Sequence, residues 1–334
     1  MLDALFTTDA LAVLVVALGV GVVVGLTGMG GGALMTPALV FLGIPPTAAV
    51  ANDLVAAAVN KSIGAAVHTR QGSPDLRLAG LLVVGSVPSA LVGAWLVGQL
   101  GSGEEAQETL RLAIGATLLL TAATYTARVY GTTFLGWGRR GDSARPVKVA
   151  PTVIVGAVGG FLVGLTSVGS GSIIMISLLL LNPGMSVKRL VGTDLVQAVP
   201  LVIAAAIGHV VVTGVDWAVL IPLIVGGAPG TFVGARLSSW IPSQAVRRGI
   251  VIVLTLTGLS LLRVPPQGVG AAGAALLVLG PLAWALLRVG HGMPAFRGSW
   301  SSTPDIQPSP LPDDLAADGS DRPSDEPFGE RRTR

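Results

Sequence analysis

Long apolar runs separated by short polar connectors make up most of this chain. A bilayer core about 30 Å thick takes roughly 20 apolar helical residues to cross. Residues 9–28, 48–68, 76–100 and 110–130 reach that length. Beyond a polar, basic connector, residues 149–168, 190–212, 217–241 and 249–262 repeat the series, and 269–287 add a run with no counterpart in the first half. Each half also holds a shorter apolar piece, 33–42 after GMGGG and 172–181 after SVGSG. Ten helical residues rise only about 15 Å, so these pieces predict half-helices or re-entrant segments. The predicted fold class is an all-α polytopic membrane protein. It has two inverted repeats, each with a broken or re-entrant half-helix, and one extra C-terminal helix.

The repeats are visible residue by residue. GLTGMGGGALM from Gly25 aligns with GLTSVGSGSII from Gly164 at an offset of 139. The offset then becomes 141, which pairs Asp53 with Asp194, His68 with His209, Asp75 with Asp216, Pro88 with Pro229 and Gly93 with Gly234. If the short piece counts as a pass, each repeat has five passes, an odd number, and the repeats are inverted. Arg70, Arg77, Lys188, Arg189, Arg247, Arg248, Arg288, Arg297 and the basic connector then share one face. Glu104, Glu105, Glu108, Asp216 and the acidic N-terminus share the other, and only Arg111 and Arg263 fall on the wrong side. Counting long and short pieces as one broken pass scatters Lys188, Arg189, Arg247 and Arg248 to the opposite face. The positive-inside rule therefore favours inversion, with the N-terminus outside and the C-terminus cytoplasmic in a cell membrane. Asp3 and Asp9 stand where a signal peptide would be basic, so the first helix is expected to be retained. The expected organisation is repeat 1 over 1–130, a basic cytoplasmic connector over 131–148 and repeat 2 over 149–263. An additional helix over 264–290 and a disordered acidic cytoplasmic tail over 291–334 follow.

Composition narrows the function classes. Of 334 residues, 51% are hydrophobic and 12% charged, against about 25% charged in an average soluble domain. A soluble enzyme is nearly excluded on those numbers. The pI of 9.8 would suggest nucleic acid in a soluble protein. Here the basic residues sit at the ends of apolar runs, so they mark topology and no nucleic-acid partner is expected. With no cysteine and three scattered histidines, thiolate and histidine-rich metal sites are not expected, and no cofactor is implied. HExxH, CxxC, Walker A and GxSxG are missing from the sequence.

The glycine runs carry the candidate chemistry. A backbone break inside a membrane segment must line a cavity or be buried in protein, because its N–H groups cannot stay unpaired in hydrocarbon. A half-helix starting after Gly30, Gly31 and Gly32 points the partial positive charge of its N-terminus at such a cavity. The repeat supplies a second start after Gly169, Ser170, Gly171 and Ser172. The hydroxyls of Thr27, Thr36, Ser167, Ser170 and Ser172 are candidate donors. Close helix packing is the competing reading, and it suits Gly21, Gly25, Gly156, Gly160 and Gly164. A dinucleotide fingerprint at Gly28 lacks the βαβ context it needs.

Charges within the spans come next, since intramembrane ionisable groups are costly and mark function. Asp53, Asn60, Lys61 and His68 lie on one helical stripe, and Asp194 and His209 on its repeat. Lys61 has no counterpart, because the offset lands on Val202. Its alternatives are a substrate contact and snorkelling to the surface. For Asp53 and Asp194 the alternatives are proton coupling and structural support. For His68 and His209 they are proton transfer and an interfacial, satisfied ring.

GLTGMGGGALMTPALVFLGIPPTAAVANDL, its repeat GLTSVGSGSIIMISLLLLNPGMSVKRLVGTDL, and the segments NKSIGAAVHTRQGSPD and IGHVVVTGVDW resemble the TauE/SafE family of sulfite and organosulfonate transporters, with a likeness to 4-toluene sulfonate uptake permeases. The resemblance covers residues 10–265. This chain reads AND at 51–53 where many members carry Thr-Ser, and it adds a helix and tail after Pro265. The resemblance implies secondary transport of a small sulfur-containing anion such as sulfite or sulfoacetate. An anion channel and a carrier of a non-sulfur carboxylate remain the alternatives. The expected partners are the anion, the bilayer and a coupling proton or ion, and a homo-oligomer is left open.

Overall fold

Every long apolar run becomes a helix in the computed structural model, which describes residues 8–27, 31–68, 74–101, 103–135, 147–169, 171–182, 185, 187–237 and 243–291. Among these residues there are eleven helices and no strand. The first half gives α1 (Thr8–Thr27), α2 (Gly32–Phe41), α3 (Pro46–His68), α4 (Leu76–Leu100) and α5 (Glu104–Phe134). The second half gives α6 (Val149–Thr166), α7 (Ile173–Leu181), α8 (Val187–Val212), α9 (Trp217–Leu237) and α10 (Ser243–Leu261), and α11 (Pro266–Gly290) follows. The two short pieces are helices of 10 and 9 residues, about half the length a crossing needs. α5 runs longer than its apolar stretch at both ends. Glu104 and Glu105 occupy its first turn, where negative charge opposes the helix dipole favourably.

Seven helices among the described residues are long and apolar enough to cross a membrane: α1, α4, α5, α6, α8, α9 and α11. The chain is a multi-pass membrane protein. α3 has the length without the hydropathy, because Asn52, Asp53, Asn60 and Lys61 lie along it. Those residues are shielded by protein: 49–54 are all buried, and α3 packs on α2, α5, α8 and α9. The outer faces are apolar instead, with Val84, Ile154, Phe232, Leu277 and Val278 exposed. In water such a surface would aggregate; in a bilayer it meets lipid.

The helices pair across the two halves. α1 lies along α9, α4 lies along α6, α3 crosses α8 and α5 lies along α10. Under the correspondence of α1 with α6 and α4 with α9, the first two pairs are images of each other. Both rest on glycines four residues apart. A Cβ at Gly226, Gly230 or Gly234 would collide with the carbonyl oxygens of Leu14, Leu18 or Val22 respectively. A Cβ at Gly156, Gly160 or Gly164 would collide with those of Leu82, Ser86 or Ala90. On the facing side, a Cβ at Gly21 would come within 2.6 Å of the Gly227 oxygen. Removing the side chain lets backbones approach, which strengthens dispersion contacts where lipid offers no hydrophobic drive.

Polar contacts fix the rim. Arg263 and Glu108 form a two-pronged ion pair at 2.6 Å. Gln107 receives the Thr47 N–H at 3.2 Å and donates to the Thr47 hydroxyl at 3.0 Å, joining the starts of α5 and α3. α11 packs against α10, with Gly273 near Leu256 and the Arg248 guanidinium 5.8 Å from the Trp284 ring centre. Residues 136–146 of the expected connector and the tail from 292 lie outside the described residues.

Candidate functional site

The break in the second half has a defined backbone. α6 ends at Thr166, and Ser167 turns left-handed with φ 61° while its N–H donates to the Val163 carbonyl at 2.8 Å. The Val168 N–H finds the Thr166 hydroxyl at 3.2 Å. Gly169 follows at φ +118°, a conformation that suits glycine. Its carbonyl accepts from Ile173, the first residue of α7, at 3.1 Å. In the first half, α1 runs to Thr27 and α2 starts at Gly32, and the Gly31 carbonyl accepts from Leu34 and Met35 at 3.0 and 2.9 Å.

The two breaks touch. A Cβ on Gly32 would fall on the carbonyl oxygen of Ser167, and the Ser167 hydroxyl would lie 2.9 Å from it. Gly31, one residue earlier, has nothing nearer its Cβ position than a Val24 methyl at 3.8 Å. The start of α2 is therefore seated on the end of α6.

Asp53 locks this junction. It is 2% exposed, and its Oδ2 accepts from the Thr36 hydroxyl at 2.5 Å and the Ser167 hydroxyl at 2.8 Å. One carboxylate oxygen on α3 thus holds α2 and the break of the other half. The sequence offered Thr36 and Ser167 as donors to a cavity, but both hydroxyls are aimed at Asp53. Asp194 occupies the equivalent position on α8 and accepts from the Gln197 amide at 2.9 Å. Lys61 has Asp194 and Asp53 as its electrostatic neighbours, and Arg128 of α5 adds positive charge near Asp194. The only cation on the α3 stripe thus sits in the field of both carboxylates. Burying such charges is costly unless they are paired.

Other candidates fall around this centre. Asn60 faces α9, its amide nitrogen 3.8 Å from the Cβ position of Gly227. Gly171 lies in the turn before α7. Ser172 is buried, and its carbonyl accepts from Ile176 at 3.0 Å, but its side chain makes no cap. His209 is fully buried, and Nε2 donates to the Gly164 carbonyl at 2.7 Å. That carbonyl belongs to the last turn of α6, where helical acceptors lose their partners. Gly30 and Ser170 lie outside the described residues, as do the side chains of Thr27 and His68.

Sequence reasoning missed two buried amides. Gln197 and Asn52 are both 0% exposed. Gln197 Oε1 and Asn52 Oδ1 have no hydrogen-bond partner among the described residues. Their positions carried a signal, since Gln197 is three residues after Asp194 on the same helix face and Asn52 precedes Asp53. Unpartnered buried acceptors of this kind, that of Gln197 on the amide that donates to Asp194, can take a proton-bearing group in the protein interior.

Comparison with known proteins gives the arrangement a context. Residues 13–261 match the family described as Sulfite exporter TauE/SafE. A Bacillus subtilis (strain 168) protein named probable membrane transporter protein YjnA is 35% identical over 254 residues, covering 76% of this chain and all of the relative. A second from the same organism, probable membrane transporter protein YdhB, is 27% identical over 243 residues, 72% of this chain and 96% of its own. A third, probable membrane transporter protein YunE, is 25% identical over 270 residues, 75% of this chain and 97% of its own. No solved structure matches.

Proposed function

Since the chain belongs to the Sulfite exporter TauE/SafE family and is a membrane transporter, we propose that its cargo is a small sulfur-containing anion, sulfite or an organosulfonate such as sulfoacetate, carried by alternating access. The observation that carries this reading is the meeting of two helix breaks, one from each half, beside Lys61, Asp53 and Asp194. The first-turn N–H groups of a half-helix suit an anion, and Lys61 supplies the full charge. The residues proposed to bind are Gly30, Gly31, Gly32, Thr27, Asn60, Lys61, Gly169, Ser170, Gly171 and Ser172. Asp53 is proposed as the strut of the junction. Asp194 is proposed as the carboxylate that couples a proton. The two halves act as inverted repeats, rocking against each other about the junction.

The test is uptake of labelled sulfite and sulfoacetate into proteoliposomes. Lys61→Ala should reduce flux at least tenfold while the protein still purifies as a folded species. Wild-type flux with unchanged flux in Lys61→Ala would remove Lys61 from the site. Counterflow of labelled substrate separates a carrier from a channel, since a channel cannot exchange uphill. A set of carboxylates run in parallel reads selectivity.

A further inference from the structure

The correspondence between the halves makes two ends of the molecule comparable. They lie at opposite ends of α8, whose 24 residues from Arg189 to Val212 rise about 36 Å. At one end, Arg189 Nη2 contacts Asp75 Oδ2 at 3.3 Å. The Asp75 N–H donates to the Thr193 hydroxyl at 2.9 Å, and Thr193 in turn donates to the Arg189 carbonyl at 2.8 Å. Asp75 also caps α4 through the Leu78 N–H at 3.0 Å. The start of α8 is thereby fastened to the start of α4, helix of the second half to helix of the first.

The offset of 141 converts Asp75 to Asp216, Arg189 to Ala48 and Thr193 to Asn52. Asp216 still caps its helix, accepting from Ala218 at 2.9 Å. Ala48 has no side chain to reach it, and the Asn52 amide is turned back to the Ala48 carbonyl at 2.8 Å. Where the first end is tied, this one is open. A cavity of about 530 Å³ lies between Thr47, Ala48 and residues 213–218.

We propose that the Arg189–Asp75 pair is a one-sided latch, which holds shut the mouth at the starts of α4 and α8 while the mouth at Ala48 and Asp216 stands open. The latch rests on the alternating-access reading above. A half-exposed ion pair is weak, which suits a contact that must break in each cycle. Because the pair exists at one end alone, it biases the population toward one orientation.

The chain has no cysteine, so a single introduced thiol reports alone. Ala48→Cys places it in the open mouth. Gly192→Cys places it behind the latch, where its Cβ would rest 3.7 Å from Pro74 without a clash. Labelling with a membrane-impermeant maleimide is timed in right-side-out and inverted vesicles. Arg189→Ala should slow labelling at Ala48→Cys at least threefold and speed it at Gly192→Cys at least threefold. Asp75→Asn keeps a capping side chain and removes the charge, so it should act the same way, whereas Arg189→Lys should hold the parent rates. Unchanged rates in Arg189→Ala and Asp75→Asn would overturn the latch. Anion flux in the same vesicles separates the two readings. Shifted labelling without wild-type flux of sulfite or sulfoacetate supports the latch and sinks the sulfur-anion assignment; flux with unshifted labelling sinks the latch alone.

Discussion

Gly31 and Gly32 are neighbours of one residue type in one run of glycines, yet their surroundings are opposite. The Gly32 Cβ position is taken by the Ser167 carbonyl, and that of Gly31 is open to 3.8 Å. Backbone cannot yield as a side chain can, so Gly32→Ala should cost at least the 1–3 kcal/mol or so of an overpacked core. Gly31→Ala meets no clash and keeps a right-handed backbone, φ −59°, and costs only the modest difference between glycine and alanine as N-cap. Thermal unfolding in detergent, followed by tryptophan fluorescence, should show a clearly lower midpoint for Gly32→Ala than for Gly31→Ala; equal midpoints would refute the contact. This distinction was not legible in the sequence. The glycine run announced a break, but the partner of Gly32 lies in the other half of the chain. Asp53 is a similar case. Its intramembrane charge marked it as worth attention, whereas its hydroxyl partners depend on how α2 and α6 meet. His209 is a further case, because its partner, the Gly164 carbonyl, depends on how α8 packs against the last turn of α6.

Among the elements, the sequence was most informative where periodicity is long. Each expected helix exists, with ends moved by a few residues, because hydropathy reports burial in lipid directly. The i, i+4 glycines were readable as packing faces, but not their choice of partner. Two helices with small-residue faces can pair in several ways, and only the assembled bundle selects α9 for α1 and α6 for α4. α3 shows the limit of hydropathy in the other direction, since other helices pack around its polar positions and Asp53 takes its hydrogen bonds from α2 and the α6 break. The glycine faces give a sign test. Replacing glycine by alanine in a helix gains up to about 1 kcal/mol in propensity, so a loss must come from the contact. Gly230→Ala, set against the Leu18 carbonyl, should lower the unfolding midpoint, and Gly19→Ala, with open space around it, should not. A rise at Gly230 would mean that α1 and α9 lie farther apart than described.

For the molecule as a whole, the charge pattern is a prediction about orientation. Glu104, Glu105 and Glu108 should face outside, and the Arg263–Glu108 pair puts Arg263, one of the two exceptions to that pattern, at the same end with its charge matched. A reporter fused after Glu105 should be active on the external side, and a cytoplasmic signal would reverse the orientation. The cross-pairing of helices has a consequence for how the protein is made. α1 finds its glycine-lined partner only when α9 has left the ribosome, and α4 must wait for α6. The first half therefore enters the bilayer with its tightest contact surfaces vacant, and lipid must fill them for the time needed to synthesise the second. Insertion and folding are thus separate events here, and the late one depends on the two halves of a single chain finding each other in the plane of the membrane.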